Sequence, residues 1–162
     1  KSMTIICNPL VNSYKRLTPG FEAPSDITWS TRQRTSLIRV PYGRQEETCL
    51  ELRSPDASAN PYLVFALCLS AGMDGIEKQM QVPEELKKDI RKMTEDEKEQ
   101  LGIGALPGNL SEALDAFGKD TFVQEVLGHN FTKQYRKAKK AEWRSYMEQV
   151  SEWELNQYLY QN

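Results

Sequence analysis

Histidine is almost missing from this sequence: among 162 residues only His129 carries an imidazole. A histidine-based catalytic triad, or a metal site made by this chain alone, therefore has too few side chains to draw on. The three cysteines, Cys7, Cys49 and Cys68, lie far apart and form no Cys-x-x-Cys pair, which argues against a redox or metal motif. Each lies in an apolar run, so we expect reduced, buried thiols in a cytoplasmic protein.

Long apolar runs and a strong net charge are also absent. No segment approaches the roughly 20 apolar residues that a membrane-spanning helix needs. The formal net charge of -2 gives no overall attraction to nucleic acid or to anionic lipid. The chain starts at Lys1 instead of an initiator methionine, and no signal-peptide pattern follows. The sequence therefore predicts a cytoplasmic protein without nucleic-acid or membrane partners, and we expect it to be a piece of a longer chain.

What the sequence does contain is arginine, concentrated near its beginning. Six of the nine arginines lie between Arg16 and Arg53, whereas lysine supplies most of the positive charge later on. A guanidinium group binds carboxylates and phosphates through a planar fork of donors, which an ammonium group lacks. Residues 1–60 are therefore predicted to form an anion-binding surface, and residues 61–162 a helical region.

The anion-binding part is predicted to contain turns and one hairpin. Prolines and glycines make residues 9–26 loop-rich. Residues of high β-propensity then predict two strands, over residues 35–40 and 48–53, which pair in antiparallel fashion. Side chains alternate along a strand, so Glu51 and Arg53 should project from the same face. An ordinary solvated ion pair is the alternative interpretation of this spacing.

The helical part begins with a cap. Asn60 and Pro61 are preferred residues at a helix start. The segment Tyr62–Leu69 is apolar almost all round, which predicts burial in the core. The remaining elements are a mixed-charge excursion over residues 82–108 with a capping box at Thr94 and Glu97, short helices over about 109–118 and 120–127, and a long amphipathic helix over about 130–159.

Several blocks of the sequence are recognisable as family motifs. They read NPLVNSYKRLTPGFEAP from Asn8, WSTRQR from Trp29, LIRVP from Leu37, LELRSPD from Leu50 and ANPY from Ala59. In this order they resemble the C-terminal part of class I glutamine synthetase. The resemblance covers essentially the whole chain but not the family's first two-thirds.

The resemblance implies a fold and a domain assignment. The fold class is α+β, the C-terminal portion of the glutamine synthetase catalytic domain, with antiparallel strands followed by a mostly helical region. Residues 1–162 would then be a C-terminal fragment of that domain, with active-site loops and strands in residues 1–60.

The resemblance also implies an activity. It is the ATP-dependent ligation of ammonia to L-glutamate through γ-glutamyl phosphate, with ATP as co-substrate and Mg²⁺ or Mn²⁺ as cofactor. The family assembles as a dodecamer of two hexameric rings, and Trp153–Asn162 resembles its inserting tail. Residues 77–116 contain no tyrosine, so we expect no control by tyrosine adenylylation, which acts on some bacterial members.

Six residues match the family's functional positions. The resemblance implies substrate binding by Arg16 and Arg53, catalytic roles for Glu22, Arg34 and Arg39, nucleotide and phosphate binding by Arg34 and Arg39, and metal binding by Glu51. The family's other metal ligands and its N-terminal domain have no counterpart in this sequence. We therefore expect the chain alone to be inactive.

Three alternatives stay open at this stage. A γ-glutamyl–amine ligase of the same family, using a polyamine or another amine, would share these motifs, although NSYKRL and Trp29-Ser30 favour the ammonia enzyme. A catalytically silent relative is the second, and retention of all six site residues argues against it. The third is a separately folding domain that only supports assembly.

Overall fold

The computed structural model describes residues 1–18, 20, 23–42 and 49–159. Within these ranges the chain is mainly helical and has one small sheet. The α-helices are α1 (Thr4–Cys7), α2 (Pro61–Glu77), α3 (Glu95–Gln100), α4 (Leu110–Lys119), α5 (Thr121–Leu127), α6 (His129–Met147) and α7 (Glu152–Tyr158). Two 3₁₀ helices span Val11–Leu17 and Ile90–Lys92, and the strands are β1 (Trp29–Ser30), β2 (Ile38–Arg39) and β3 (Glu51–Leu52). The predicted α+β class is confirmed. No helix in these ranges is both long and apolar enough to span a membrane.

The sheet has the strand order β1-β2-β3, with β1 and β2 parallel and β2 and β3 antiparallel. Arg39 lies opposite Glu51 in the antiparallel pair. The predicted antiparallel pairing is therefore confirmed. The first strand is shorter than predicted, because residues 31–37 form turns and bends. The predicted start of the second strand, Thr48, lies outside the described residues.

The core lies between α1, α2, α4, α5 and α6. Its centre is Phe117 on α4, which is fully buried together with Ile5 of α1 and Leu110. The ring of Tyr135 on α6 lies 5.8 Å from that of Phe117, and its hydroxyl donates a 3.0 Å hydrogen bond to the carbonyl of Ile5. The polar tip of Tyr135 is thus satisfied inside a mainly apolar cluster.

The caps predicted at Asn60 and Thr94 are confirmed, and Asn109 caps a third helix in the same way. The side chains of Asn60, Thr94 and Asn109 each accept a hydrogen bond from a backbone N–H in the first turn of α2, α3 and α4. Such a cap satisfies a donor that the helix itself leaves unpaired. Gly128, with a φ of 82°, ends α5 at the predicted position.

The prediction that α2 is buried all round is wrong. Of its residues only Val64 and Leu67 are buried. A stripe of large apolar side chains at three- and four-residue steps is between 56% and 83% exposed: Tyr62, Phe65, Leu69, Met73 and Ile76. An apolar helix face favours burial, but it is buried only where another part of the protein packs against it. No described residue covers this face enough to bury it.

The predicted long helix over 130–159 is two helices, α6 and α7. The break arises at Ser151, whose hydroxyl accepts a 3.2 Å hydrogen bond from the N–H of Glu154. The Glu154 carboxylate in turn accepts a 2.7 Å bond from the N–H of Ser151. This reciprocal capping box starts a new helix. Because the helix is interrupted, the apolar face of α6 does not continue to Trp153, whose side chain is exposed.

Replacement of Phe117 tests the assigned core. We expect Phe117→Ala to lower the free energy of unfolding of the 162-residue chain by about 3–5 kcal/mol, because it leaves a cavity in a close-packed site. The matched control is Phe65→Ala on α2, where the ring is 64% exposed and the change should stay within about 0.5 kcal/mol. Urea denaturation followed by circular dichroism measures both, and equal losses would contradict the assigned core.

The three cysteines are free, but they do not share one environment as expected. Cys7 is buried, Cys68 is partly buried and Cys49 is exposed. Burial raises the pKa of the Cys7 thiol to about 12. Cys49 precedes β3 at the sheet's outer end, where an apolar sequence neighbour such as Leu50 is itself exposed. The prediction of uniform burial is therefore wrong for Cys49.

Alkylation of the native chain should follow this order of exposure. Only the thiolate reacts, and a pKa raised by burial leaves almost none at pH 8. Iodoacetamide should therefore modify Cys49 first and Cys7 last, as mass spectrometry of peptides at timed intervals would show. Modification of Cys7 at the rate of Cys49 would contradict the burial of α1.

Candidate functional site

One carboxylate lies between two guanidinium groups where β2 and β3 pair. Arg39 Nη1 lies 3.1 Å from Glu51 Oε2, and Arg53 Nε lies 3.0 Å from Glu51 Oε1. The register places Arg39 opposite Glu51, and the alternation along β3 brings Arg53 to the same face, as predicted. We call these three residues the Arg39–Glu51–Arg53 cluster.

The cluster has donors to spare. Arg39 Nε and Arg53 Nη1 are both buried and have no hydrogen-bond partner among the described residues. The side chains remain 25% and 19% exposed, so the guanidinium groups are still open to solvent at one edge. Two positive groups beside one negative group leave a net positive charge. Because an unpaired buried donor is costly, the arrangement favours an added anion.

Arg16 lies behind β3 and is held by backbone carbonyl groups. Its Nη1 donates to the carbonyl of Ser54 at 2.8 Å, and its Nη2 donates to the carbonyl of Arg53 at 3.2 Å. The buried side chain of Asn8 donates a 3.0 Å hydrogen bond to the Ser54 hydroxyl. Arg16 is therefore joined to the Arg39–Glu51–Arg53 cluster through the backbone that follows β3.

Of the remaining two predicted site residues, Arg34 is not brought into this cluster. Arg34 is exposed in the turn between β1 and β2. It makes no hydrogen bond or ion pair with another described residue. Glu22 lies outside the described residues, so its predicted role stays a prediction.

A residue that the sequence did not single out holds the turn that carries Arg34. Glu85, in the mixed-charge excursion, accepts hydrogen bonds from the N–H and hydroxyl of Thr31. The contact joins positions 54 residues apart. Several glutamates share that excursion, so no sequence signal distinguishes Glu85 from its neighbours.

The donor set matches a divalent cation only in part. Carboxylate oxygens are the ligands that Mg²⁺ prefers. In the described part of the chain, however, no group of three or more His, Cys, Asp or Glu side chains comes together to hold a metal. Both oxygens of Glu51 are also engaged by arginines. The described residues therefore do not form a metal site by themselves. Glu51 is only one of the several ligands that a metal ion needs.

A large apolar groove lies next to the cluster, because Ile38 and Val40, which flank Arg39, line it. It has a volume of about 1140 Å³ and also contacts the excursion residues Val82 and Ile103. A second cavity of about 290 Å³ lies between Asp26 and Lys98 and neighbouring side chains. None of the predicted site residues that the structure describes lines either space. The candidate site is thus the cluster itself.

Comparison with known proteins gives a consistent family. The family model described as glutamine synthetase, catalytic domain, matches residues 1–158. A glutamine synthetase of Methanocaldococcus jannaschii is 47% identical over 98% of this chain and 35% of its own length. A glutamine synthetase of Staphylococcus aureus is 46% identical over 99% of this chain and 36% of its own length. The chain therefore spans about a third of the curated relatives it matches.

Solved structures of a protein called GmaS share the fold. The apo form superposes with a TM-score of 0.81 at 38% identity and covers 98% of this chain and 35% of that one. The complex of GmaS with ADP gives a TM-score of 0.83 at 36% identity, covering 98% and 36%.

The spare donors of the cluster can be tested with inorganic phosphate in metal-free buffer. Glu51→Gln removes the competing internal anion, so phosphate should bind the 162-residue chain about tenfold more tightly. Arg39→Gln should weaken binding about tenfold, because it removes one fork of donors. Arg144→Gln, at an exposed position on α6, is the control and should have no effect. Calorimetric titration measures all three, and equal losses in both arginine variants would contradict a local site.

Proposed function

Since the chain belongs to the glutamine synthetase catalytic-domain family, we propose that it supplies part of the active site of an ATP-dependent ligase acting on L-glutamate. The observation that carries the proposal is the Arg39–Glu51–Arg53 cluster with its two unpartnered buried donors. A site that transfers a phosphoryl group between oxygens needs such preorganised positive groups. The match to the family over 98–99% of the chain supports the same reading.

The chemistry accounts for the choice of arginine. A free carboxylate is a poor acyl donor, so the γ-carboxylate of L-glutamate has to be activated first. One of its oxygens attacks the terminal phosphorus of ATP, ADP leaves, and γ-glutamyl phosphate forms. The ammonia nitrogen then attacks the carbonyl carbon, loses a proton and displaces phosphate to give glutamine. In this proposal Arg34 and Arg39 neutralise phosphate oxygens, and Arg16 and Arg53 hold the substrate.

Two further roles belong to the same proposal. Glu22 accepts a proton from the attacking nitrogen, and Glu51 contributes one ligand to Mg²⁺ or Mn²⁺. Because Glu51 alone cannot hold a cation, the other ligands have to come from outside the described residues. We also propose that residues 1–60 supply the active-site loops and strands and that residues 61–162 form the helical region of the domain.

We propose ammonia as the nitrogen donor, with a larger amine as the second candidate. The curated glutamine synthetases are 46–47% identical to this chain, whereas GmaS is 36–38% identical. A γ-glutamyl–amine ligase stays the second candidate because it would share the motifs that place this chain in the family.

The proposed complete enzyme is an oligomer, a dodecamer of two hexameric rings. The chain spans about a third of its relatives, so much of the active site and most of the subunit surface come from other segments. The exposed apolar side chains Trp153, Tyr158 and Leu159 around α7 support a contact with another subunit.

The nitrogen donor is tested with the full-length protein, ATP, L-glutamate and either ammonia, methylamine or a polyamine. Mass spectrometry identifies the γ-glutamyl product, and ADP release gives the rate. We expect kcat/KM for ammonia to exceed that for each amine by at least about tenfold, because a small pocket rejects added carbon. The 162-residue chain alone should form no product.

Three outcomes contradict these expectations separately. Preference for an amine would overturn the ammonia assignment and leave the ligase assignment intact. Product formation by the 162-residue chain alone would show that the missing segments are not needed. A full-length protein that releases no ADP with any acceptor would refute the proposed ligase.

A further inference from the structure

A short stretch of the excursion lies against the end of β1 and the turn that follows. We call residues 83–87 the strap. Its backbone contacts are a 2.8 Å bond from Trp29 Nε1 to the carbonyl of Pro83, a 3.0 Å bond from the N–H of Leu86 to the carbonyl of Trp29, and a 3.3 Å bond from Gln33 Nε2 to the carbonyl of Lys87. The strap is thus attached at both of its ends.

Glu85, in the middle of the strap, accepts three hydrogen bonds through its carboxylate. Its Oε1 accepts hydrogen bonds from the Thr31 N–H at 2.8 Å, from the Thr31 hydroxyl at 2.6 Å and from the Ser30 hydroxyl at 3.3 Å. The fully buried Ser30 hydroxyl in turn accepts bonds from the N–H groups of Arg32 and Gln33, both at 3.2 Å. One carboxylate oxygen therefore organises four consecutive residues.

The carboxylate is suited to this task at neutral pH. Hydrogen bonds from the Thr31 hydroxyl and backbone hold the pKa of Glu85 below its ordinary value. The group thus stays ionised, and hydrogen bonds to a charged acceptor are stronger than those between neutral groups. The geometry does not depend on this shift, since the three donors already converge on one oxygen.

The organised turn leads directly to two arginines of the proposed active site. Ser30 lies opposite Arg39 in the parallel pairing of β1 and β2. Arg34 follows in the turn and has no described partner of its own to fix it. A side chain on a turn can act on a phosphate only if the turn itself is fixed.

We propose that Glu85 is a positioning residue that fixes the turn after β1 and thereby presents Arg34 to the phosphate groups of the nucleotide. The inference rests on the proposed function, which gives Arg34 its role. Glu85 itself touches neither substrate nor nucleotide in this proposal.

Kinetics of the full-length protein test the link to Arg34. Glu85→Ala should lower kcat/KM for ATP about tenfold or more, since loosened positioning costs this much, with little change in KM for glutamate. Glu85→Gln keeps an acceptor oxygen and should recover most of the loss. Glu84→Ala, at the exposed neighbouring position, is the matched control and should resemble the unchanged protein.

A double-mutant cycle separates positioning through Arg34 from a general structural effect. If Glu85 acts through Arg34, then Glu85→Ala should cost little more once Arg34→Ala is present. Fully additive losses, or equal effects on the KM of ATP and of glutamate, would overturn the proposal.

Hydrogen exchange tests the strap without any activity. Glu85→Ala should speed exchange of the Thr31, Arg32 and Gln33 amides by about tenfold or more. The Thr31 amide loses its acceptor, and the other two amides bind the Ser30 hydroxyl, which Glu85 no longer holds in place. Glu84→Ala should leave them unchanged. Unchanged exchange in Glu85→Ala would overturn the positioning role, even in a protein without ligase activity. Absence of activity in the unchanged protein refutes the proposed function instead, and in that case the link to Arg34 falls with it.

Discussion

The site depends on one carboxylate that binds two guanidinium groups. Strands β2 and β3 are only two residues long each, so few backbone hydrogen bonds define their pairing. Glu51 adds ion pairs to Arg39 across the sheet and to Arg53 along its own strand. These contacts hold both guanidinium groups in fixed orientations before any anion binds. Preorganised charge of this kind lowers a barrier because no reorientation is needed during the reaction.

The helices hold this cluster from behind. The N–H of Asp56, just after β3, donates a 2.9 Å hydrogen bond to the carbonyl of Cys7 at the end of α1. Asn8 binds Ser54 in the same region, and Arg16 binds the carbonyl of Ser54. Since α1 lies in the core, the backbone after β3 is tied to the buried part of the chain. The packing of the core therefore helps to fix the position of the Arg39–Glu51–Arg53 cluster.

Local features of the sequence could be predicted, and contacts between distant segments could not. The cap at Asn60 and the shared face of Glu51 and Arg53 depend only on neighbouring residues. The role of Glu85 depends on a contact with Thr31, which lies 54 residues away along the chain. Ser151 is an intermediate case, because the sequence contains its capping box with Glu154 but the amphipathic pattern favoured one continuous helix. Glu22 stays a prediction.

The exposed stripe on α2 has a consequence for how this polypeptide fares in a cell. This stripe of five large apolar side chains resembles the surface that chaperones recognise on incompletely folded proteins. If translation or proteolysis released these 162 residues alone, chaperones would bind the stripe and compete with any native association. The amount of the segment that persists would then be set by how quickly its natural neighbours cover the helix, more than by the strength of its own core.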